Sequence, residues 1–534
     1  MFTEAESPGT RIVAPDIAPG AEQDSRAFES ILFPGGVPEG LIAGPATAFL
    51  ADLQIEQIIA ATVAGREQYE LKPYFYLPLG DLAAINYRHE VFSDLGDATV
   101  RETIDSFARE LVDVRRDLAL TTGFRDEHQR QAMVVEAAGV YCAAVRELNQ
   151  NLAAAAPASQ GLRKFRDYLA GYVNSSEFEE MARDAEQVTD ALGRVRYCLR
   201  IKGSRVTVTR EEDNSDYTAD VRETFARFRQ GEVKDYRTTG RTILAMDHVE
   251  SWVLDGVAQL FRTEFSALAN FNSMHAAFQS ELVVAFDKEI QFYLAYLDLI
   301  AKPTEEGLSF CLPVVSRSKE VHVSGTFDLA LAVRIEAHGQ AMVTNDVELG
   351  GPERILVVSG PNQGGKTTFA RTVGQLHYLA SLGLPVPGIT ARLSLPDAIF
   401  THFELGENAK DLRGKLMDDL VRIHGILEQA TPRSLVILNE IFTSTSLRDA
   451  IDLGARVLGK ICRLDLVCVC VTFVDELSRL GPSVVSMVST VESDDPARRT
   501  FKILRQPADG LAYAMVLARK YGLDYGELKG RINS

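Results

Sequence analysis

The chain has 534 residues, 46% of them apolar and 24% charged, with a single Trp, which excludes a disordered or fibrous protein and exceeds what one hydrophobic core organises. Its formal net charge of −18 excludes a uniformly basic surface that coats nucleic acid, because such affinity comes from neutralising phosphates, so any contact with DNA must be local. No apolar run reaches the roughly 18 residues of a membrane span, and the acid-containing N-terminus has no signal-peptide core, so no membrane association and a cytoplasmic location are expected.

Residues 1–45, rich in Pro, Gly and Ala, read as an irregular arm. From Thr47 the pattern turns helical, and residues 98–152 carry apolar side chains at three- and four-residue spacing, which predicts long amphipathic helices. Between residues 175 and 245 short polar pieces surround a strand-like LRIKGSRVTVTR, the mark of a small mixed insertion. Residues 247–301 contain no Pro and keep an apolar stripe that includes Trp252, Phe265, Phe286 and Leu294. This predicts one helix of some 50 residues, about 75 Å long. From residue 306 apolar strands (VHVSGTFDLALAV, RILVVSG, SLVILNE, DLVCVCVTF) alternate with helical segments, which predicts a mostly parallel sheet covered on both faces, with an antiparallel hairpin at 483–505. The six cysteines show no CxxC spacing and read as plain thiols, with Cys468 and Cys470 inside one buried strand.

The sharpest local signal is Gly360-Pro361-Asn362-Gln363-Gly364-Gly365-Lys366-Thr367, a GxxxxGK[ST] pattern between an apolar strand and a helical segment. Glycines let successive N–H groups curl toward phosphate oxygens, and the following helix N-terminus adds partial positive charge. Lys366 is placed for the β- and γ-phosphates, and the Thr367 hydroxyl for Mg²⁺. The strand SLVILNE ends in Asn439-Glu440, where an α/β sheet delivers its chemistry, and Glu440 is the candidate base that orients the attacking water.

These motifs, with MVTNDVELGG upstream, GITARLSLPDAIFTHFELGENAKDLRGKLMDDL between them and DGLAYAMVLARKYGL at the end, resemble the MutS family in family order across residues 341–525. FYLPLGDLAAINYRHEVFSDL is similar, more weakly, to that family's lever-domain signature. The resemblance implies a multidomain α plus α/β protein: an arm at 1–45, a long-helix lever and core domain at 46–305 with a clamp-like insertion at 175–245, and a P-loop, ABC-like ATPase domain at 306–534. It implies that Asn345 meets the adenine of ATP, that Gly360, Pro361, Asn362, Gln363, Gly364, Gly365, Lys366, Thr367 and Thr368 hold the phosphates, and that Thr367 and Asn439 serve Mg²⁺. Lys366 and Glu440 are then catalytic, and Thr445 and Ser446 complete the neighbouring subunit's site in a homodimer enclosing double-stranded DNA. Partners in repair or recombination are implied without being identified.

The departures are specific. The family's Asp before the catalytic carboxylate is Asn439 here, its switch His is Phe473, Gln363 replaces a Met, and Phe442-Thr443-Ser444 replaces a glycine-containing stretch. Only about 45 irregular residues precede the lever in this sequence, too few for such a fold, so a mismatch-reading domain is not expected among them. The tripeptide Phe178-Glu179-Glu180, which imitates a mismatch probe, lies in what reads as a capped helix start.

Lys202, Arg205, Arg210, Arg227, Arg229 and Lys234 form the densest basic interval and are the candidate DNA contacts, although a solvated surface explains such a density equally. The expected function is a slow, ATP-hydrolysing DNA clamp that recognises mismatched, branched or otherwise non-standard DNA. The alternative is a nucleotide-gated scaffold with vestigial hydrolysis, which Asn439 and Phe473 favour. A third reading is a P-loop module of transporter or small-molecule-kinase type, and the order of motifs opposes it.

Overall fold

The computed structural model describes residues 28–38, 48–211, 246–335, 342–403, 414–492 and 498–508. They divide into two compact units, one containing Glu29–Ser93 and the chain from Lys288 onward, the other containing Phe28 and Asp94–Asp287. Residues 48–93, which composition alone places with the helical half, thus belong to the unit of the C-terminal sheet.

The helical unit is built on Ala98–Thr121 and Glu127–Ala155. Each starts at an aspartate whose carboxylate accepts main-chain N–H bonds: Asp97 from Thr99 at 2.8 Å and Asp126 from Gln129 at 2.9 Å. The first buries Val100, Ile104, Phe107, Leu111 and Val114, the stripe that the spacing predicts. Gln160–Val173 and Ser176–Gly193 follow, capped by Ser159 and Ser175. A hairpin of Tyr197–Lys202 and Arg205–Arg210 turns at Gly203, whose φ of 62° suits glycine.

The single 50-residue helix expected for 247–301 is not formed. Three helices, His248–Leu260, Arg262–Met274 and Glu281–Glu305, stand in its place, the last about 37 Å long. The breaks fall at Phe261 (φ −116°, ψ 52°) and His275 (φ −115°, ψ 36°). Neither is a Gly or Pro, so no breaker marked them. Tertiary contacts decide the second: Phe278 is buried against Tyr141, with ring centroids 5.7 Å apart, and Ser280 is bonded to Tyr141 and Tyr168.

In the other unit six strands lie in the order Ile399–His402, Leu435–Asn439, Val467–Val471, Ile355–Ser359, Val484–Val491 and Arg499–Arg505. The first five run parallel and the last pairs antiparallel, so the hairpin at 483–505 forms as expected. The three central strands are buried at every position, which explains their uninterrupted apolar runs; each buried Val, Ile or Leu contributes about 1.5–3 kcal/mol over leaving it exposed. Cys468 and Cys470 are buried there as free thiols. A second sheet orders Val314–Ser316, Thr390–Ser394, Val321–Thr326 and Asn345–Leu349.

The segment VHVSGTFDLALAV reads as one strand but is a strand, Val321–Thr326, and then a helix, Leu329–Ile335. Asp328 makes the switch, accepting from the Leu331 N–H at 3.0 Å as a helix cap. The arm near residue 30 is irregular yet buried: Ile31, Leu32 and Phe33 are at most 2% exposed. Its main chain is held by side chains instead of a ladder. Glu289 accepts from the Ile31 N–H, Tyr293 donates to the Ile31 carbonyl and Arg88 to that of Leu32. No described helix is long and apolar enough to cross a membrane.

Candidate functional site

The buried strand Ile355–Ser359 delivers the chain to Gly360 at its carboxyl end, and the helix Lys366–Ser381 begins six residues later. Gly360 and Gly365 have φ of 112° and 90°, and Gln363 also adopts the left-handed region at 59°. Gly365 caps the helix without a side-chain bond, leaving the first-turn N–H groups for a ligand. The glycines have a second reason. A Cβ on Gly360 would lie 2.8 Å from the Ser489 carbonyl oxygen, and one on Gly364 would collide with the Ser489 hydroxyl, which donates to the Gly364 carbonyl at 2.7 Å. The strand Val484–Val491 therefore braces the loop from behind. Gly364→Ala is expected to push the loop off this brace, costing about 1–3 kcal/mol of stability and at least roughly tenfold in nucleotide affinity. Melting and calorimetric titration measure the two effects.

A cavity of about 420 Å³ adjoins the loop, a size suited to a nucleotide. Gln363 to Thr368, Glu440 and Asn345 border it. So do Thr326, Phe327, Leu331, Met342, Val343 and Phe501, none of which sequence reasoning singled out. They come from three separated segments and form no local pattern; the positive φ of Phe501, 58°, is invisible in sequence. Asn345 is present, but its amide is engaged by the hairpin strand, accepting from the Ile503 N–H at 2.8 Å and donating to the Phe501 carbonyl at 3.2 Å.

Lys366 is 4% exposed. Its ammonium donates to the carbonyls of Gly360 (2.9 Å) and Pro361 (3.0 Å) and lies 4.4 Å from the Phe473 ring centroid. Phe473 thus covers the loop lysine. Burial pushes the lysine's pKa down to about 8, with the Glu440 carboxylate opposing and Arg499 adding to the shift. Arg499 also donates to the Asn362 carbonyl at 3.1 Å.

The Thr367 hydroxyl donates to Asn439 Oδ1 at 3.0 Å, so the two residues expected at the metal do meet. With Glu440 they present a hydroxyl, an amide oxygen and a carboxylate, a hard oxygen set that fits Mg²⁺ once phosphate oxygens and water complete it. No cluster of three or more His, Cys, Asp or Glu able to hold an ion occurs among the described residues. Glu440 itself sits in the left-handed region, φ 57°.

Thr445 and Ser446 do not border this cavity. Ser446 caps the helix Leu447–Leu464, accepting from the Asp449 N–H at 3.2 Å, and donates to the Asp449 carboxylate at 2.8 Å. Lys202 and Arg205 face each other across the tip of the 197–210 hairpin, whereas Arg210 folds over the Phe261 ring and donates to the Leu260 carbonyl. Arg227, Arg229 and Lys234 lie outside the described residues. Phe178 is 1% exposed, packed on Tyr172 in its Ser175-capped helix, so it is a core residue.

A mainly parallel sheet, a glycine-rich turn at the end of a buried strand and a helix starting from that turn define an α/β module of the phosphate-loop class. Residues 356–529 match the family model of MutS domain V. The chain is similar to the DNA mismatch repair protein MutS of Erythrobacter litoralis, at 30% identity over 244 residues, covering 44% of this chain and 27% of that protein. It is similar to the MutS protein of Shouchella clausii at 26% over 284 residues, 53% and 31% of the two chains. To the DNA mismatch repair protein Msh3 of Mus musculus it is 27% identical over 250 residues, 44% and 23%. The matched stretches span less than a third of those relatives' lengths. The C-terminal part of the chain is thus similar to MutS domain V and to proteins of the MutS family.

Proposed function

We propose that the protein binds ATP with Mg²⁺ at the 360–368 loop, hydrolyses it slowly, and acts in a DNA-repair setting as a homodimeric clamp on mismatched, branched or otherwise non-standard DNA. The observation that carries the reading is the convergence of Lys366, Thr367 and Glu440 on one nucleotide-sized cavity. In this scheme Lys366 neutralises phosphate charge, Thr367 and Asn439 face the ion, and Glu440 orients water. Ser446, at a solvent-facing helix N-terminus outside its own cavity, would act on a partner's nucleotide. A second reading, a nucleotide-gated scaffold, is favoured by the uncharged Asn439 and by Phe473 over Lys366.

The test is binding of homoduplex, mismatched and branched DNA at stated salt, with and without ATP, together with sedimentation. ATP with Mg²⁺ is expected to shift the protein toward dimer and change its retention on non-standard DNA. A monomer at all concentrations with nucleotide, and DNA binding indifferent to it, would overturn the clamp.

A further inference from the structure

We infer that Asp419, with His402 packed against its carboxylate, is the positioning residue that holds the Glu440 turn in shape. The inference rests on the reading of Glu440 as the residue that orients water. After the strand Leu435–Asn439 the chain places two non-glycine residues in the left-handed region within three positions: Glu440 at φ 57° and Phe442 at φ 60°. Backbone of this kind in a bulky residue persists only where its surroundings over-determine it.

Three contacts do so. The Glu440 N–H donates to the Val471 carbonyl at 2.9 Å. The Phe442 side chain, 1% exposed, is locked in the core formed by Phe400, Ile423 and Leu427. The Phe442 N–H donates to Asp419 Oδ2 at 3.3 Å, a bond from a side chain of the separate helix Lys415–Gln429. The other oxygen of the same carboxylate, Oδ1, lies 3.1 Å from His402 Nε2.

His402 ends the edge strand of the six-stranded sheet and is 2% exposed. Its Nδ1 and Nε2 are both buried without a hydrogen bond among the described residues, so the imidazole meets the Asp419 carboxylate as a close contact only. Asp52 and Arg422 are the other charged groups in this cluster. Asp52 accepts from the Thr401 hydroxyl at 2.6 Å, and burial raises its carboxyl above the usual range. Asp419 thus faces the imidazole with one oxygen and the strained main chain with the other. Neither His402 nor Asp419 borders the nucleotide cavity, so both act through the turn.

The experiment compares the full-length protein with Asp419→Ala, Asp419→Asn and His402→Gln, measuring kcat, KM and, separately, ATP affinity. Asp419→Ala should lower kcat at least tenfold while KM and affinity stay within about threefold. Asp419→Asn, whose amide oxygen still accepts from Phe442, should recover most of kcat, and His402→Gln should fall between. Wild-type kcat in Asp419→Ala, or equal losses of kcat and affinity, would overturn the inference. If Asp419→Ala does not fold, the same comparison is made on the other two variants. Should the wild type show no hydrolysis, the hydrolytic reading falls and the turn is judged by crystal structures of the variants. A Phe442 φ relaxed to negative values in a variant lacking the bond supports the positioning role, and an unchanged φ near 60° removes it.

Discussion

Replacing Lys366 by alanine is expected to weaken ATP binding by at least about 100-fold, the equivalent of about 2.7 kcal/mol, because it removes the buried ammonium proposed to meet the phosphates. Loop collapse is not needed to explain the loss, since Ser489 braces the loop independently through the Gly364 carbonyl. The wild type should show a pH signature as well. Burial holds the lysine's pKa down to about 8; phosphate oxygens around the ammonium would raise it again, so a nucleotide complex should take up a proton on binding. Affinity should therefore be flat below about pH 8 and fall up to tenfold per unit above it. The alanine variant should lose that limb. Titration calorimetry between pH 6.5 and 9.5 checks both effects, and undiminished affinity in the variant would remove the phosphate-loop assignment.

The second large effect lies at Asn439 and Glu440. Glu440→Gln should leave ATP bound while reducing turnover by roughly 10²–10⁴, the contribution of a positioned general base. Asn439→Asp acts in the opposite direction. Asn439 Oδ1 already accepts from the Thr367 hydroxyl, so the change keeps the contact and adds one negative charge next to the ion. The Mg²⁺ concentration for half-maximal activity should fall by roughly tenfold, the equivalent of about 1.4 kcal/mol, and turnover should rise. Phosphate release measured across Mg²⁺ concentration separates the readings. If neither variant alters a measurable rate, hydrolysis does not arise at this site. If the wild type has none and Asn439→Asp restores it, the scaffold reading holds.

What the sequence determined by itself was the chemistry written in consecutive residues. The glycines of 360–365, Lys366 and Thr367 behind a buried strand, Asn439-Glu440 at the end of another, the helix starts at Ser175 and Asp247, and the hairpin at 483–505 all follow from local rules, since turn geometry, capping and strand burial act over a few residues. Only the tertiary structure decided the rest. Periodicity showed 247–301 as one helix because no Gly or Pro marks Phe261 or His275; contacts such as Phe278 on Tyr141 accompany the second break. The alternating apolar residues of VHVSGTFDLALAV concealed the strand-to-helix change at Asp328. Within the site, the partners of single residues come from far along the chain: Ser489 against Gly364, the hairpin main chain on Asn345, Phe473 over Lys366, and Asp419 on the N–H of Phe442. Such pairings depend on which strands lie side by side, and strand order arises from packing the whole sheet, so no window of neighbouring residues contains it.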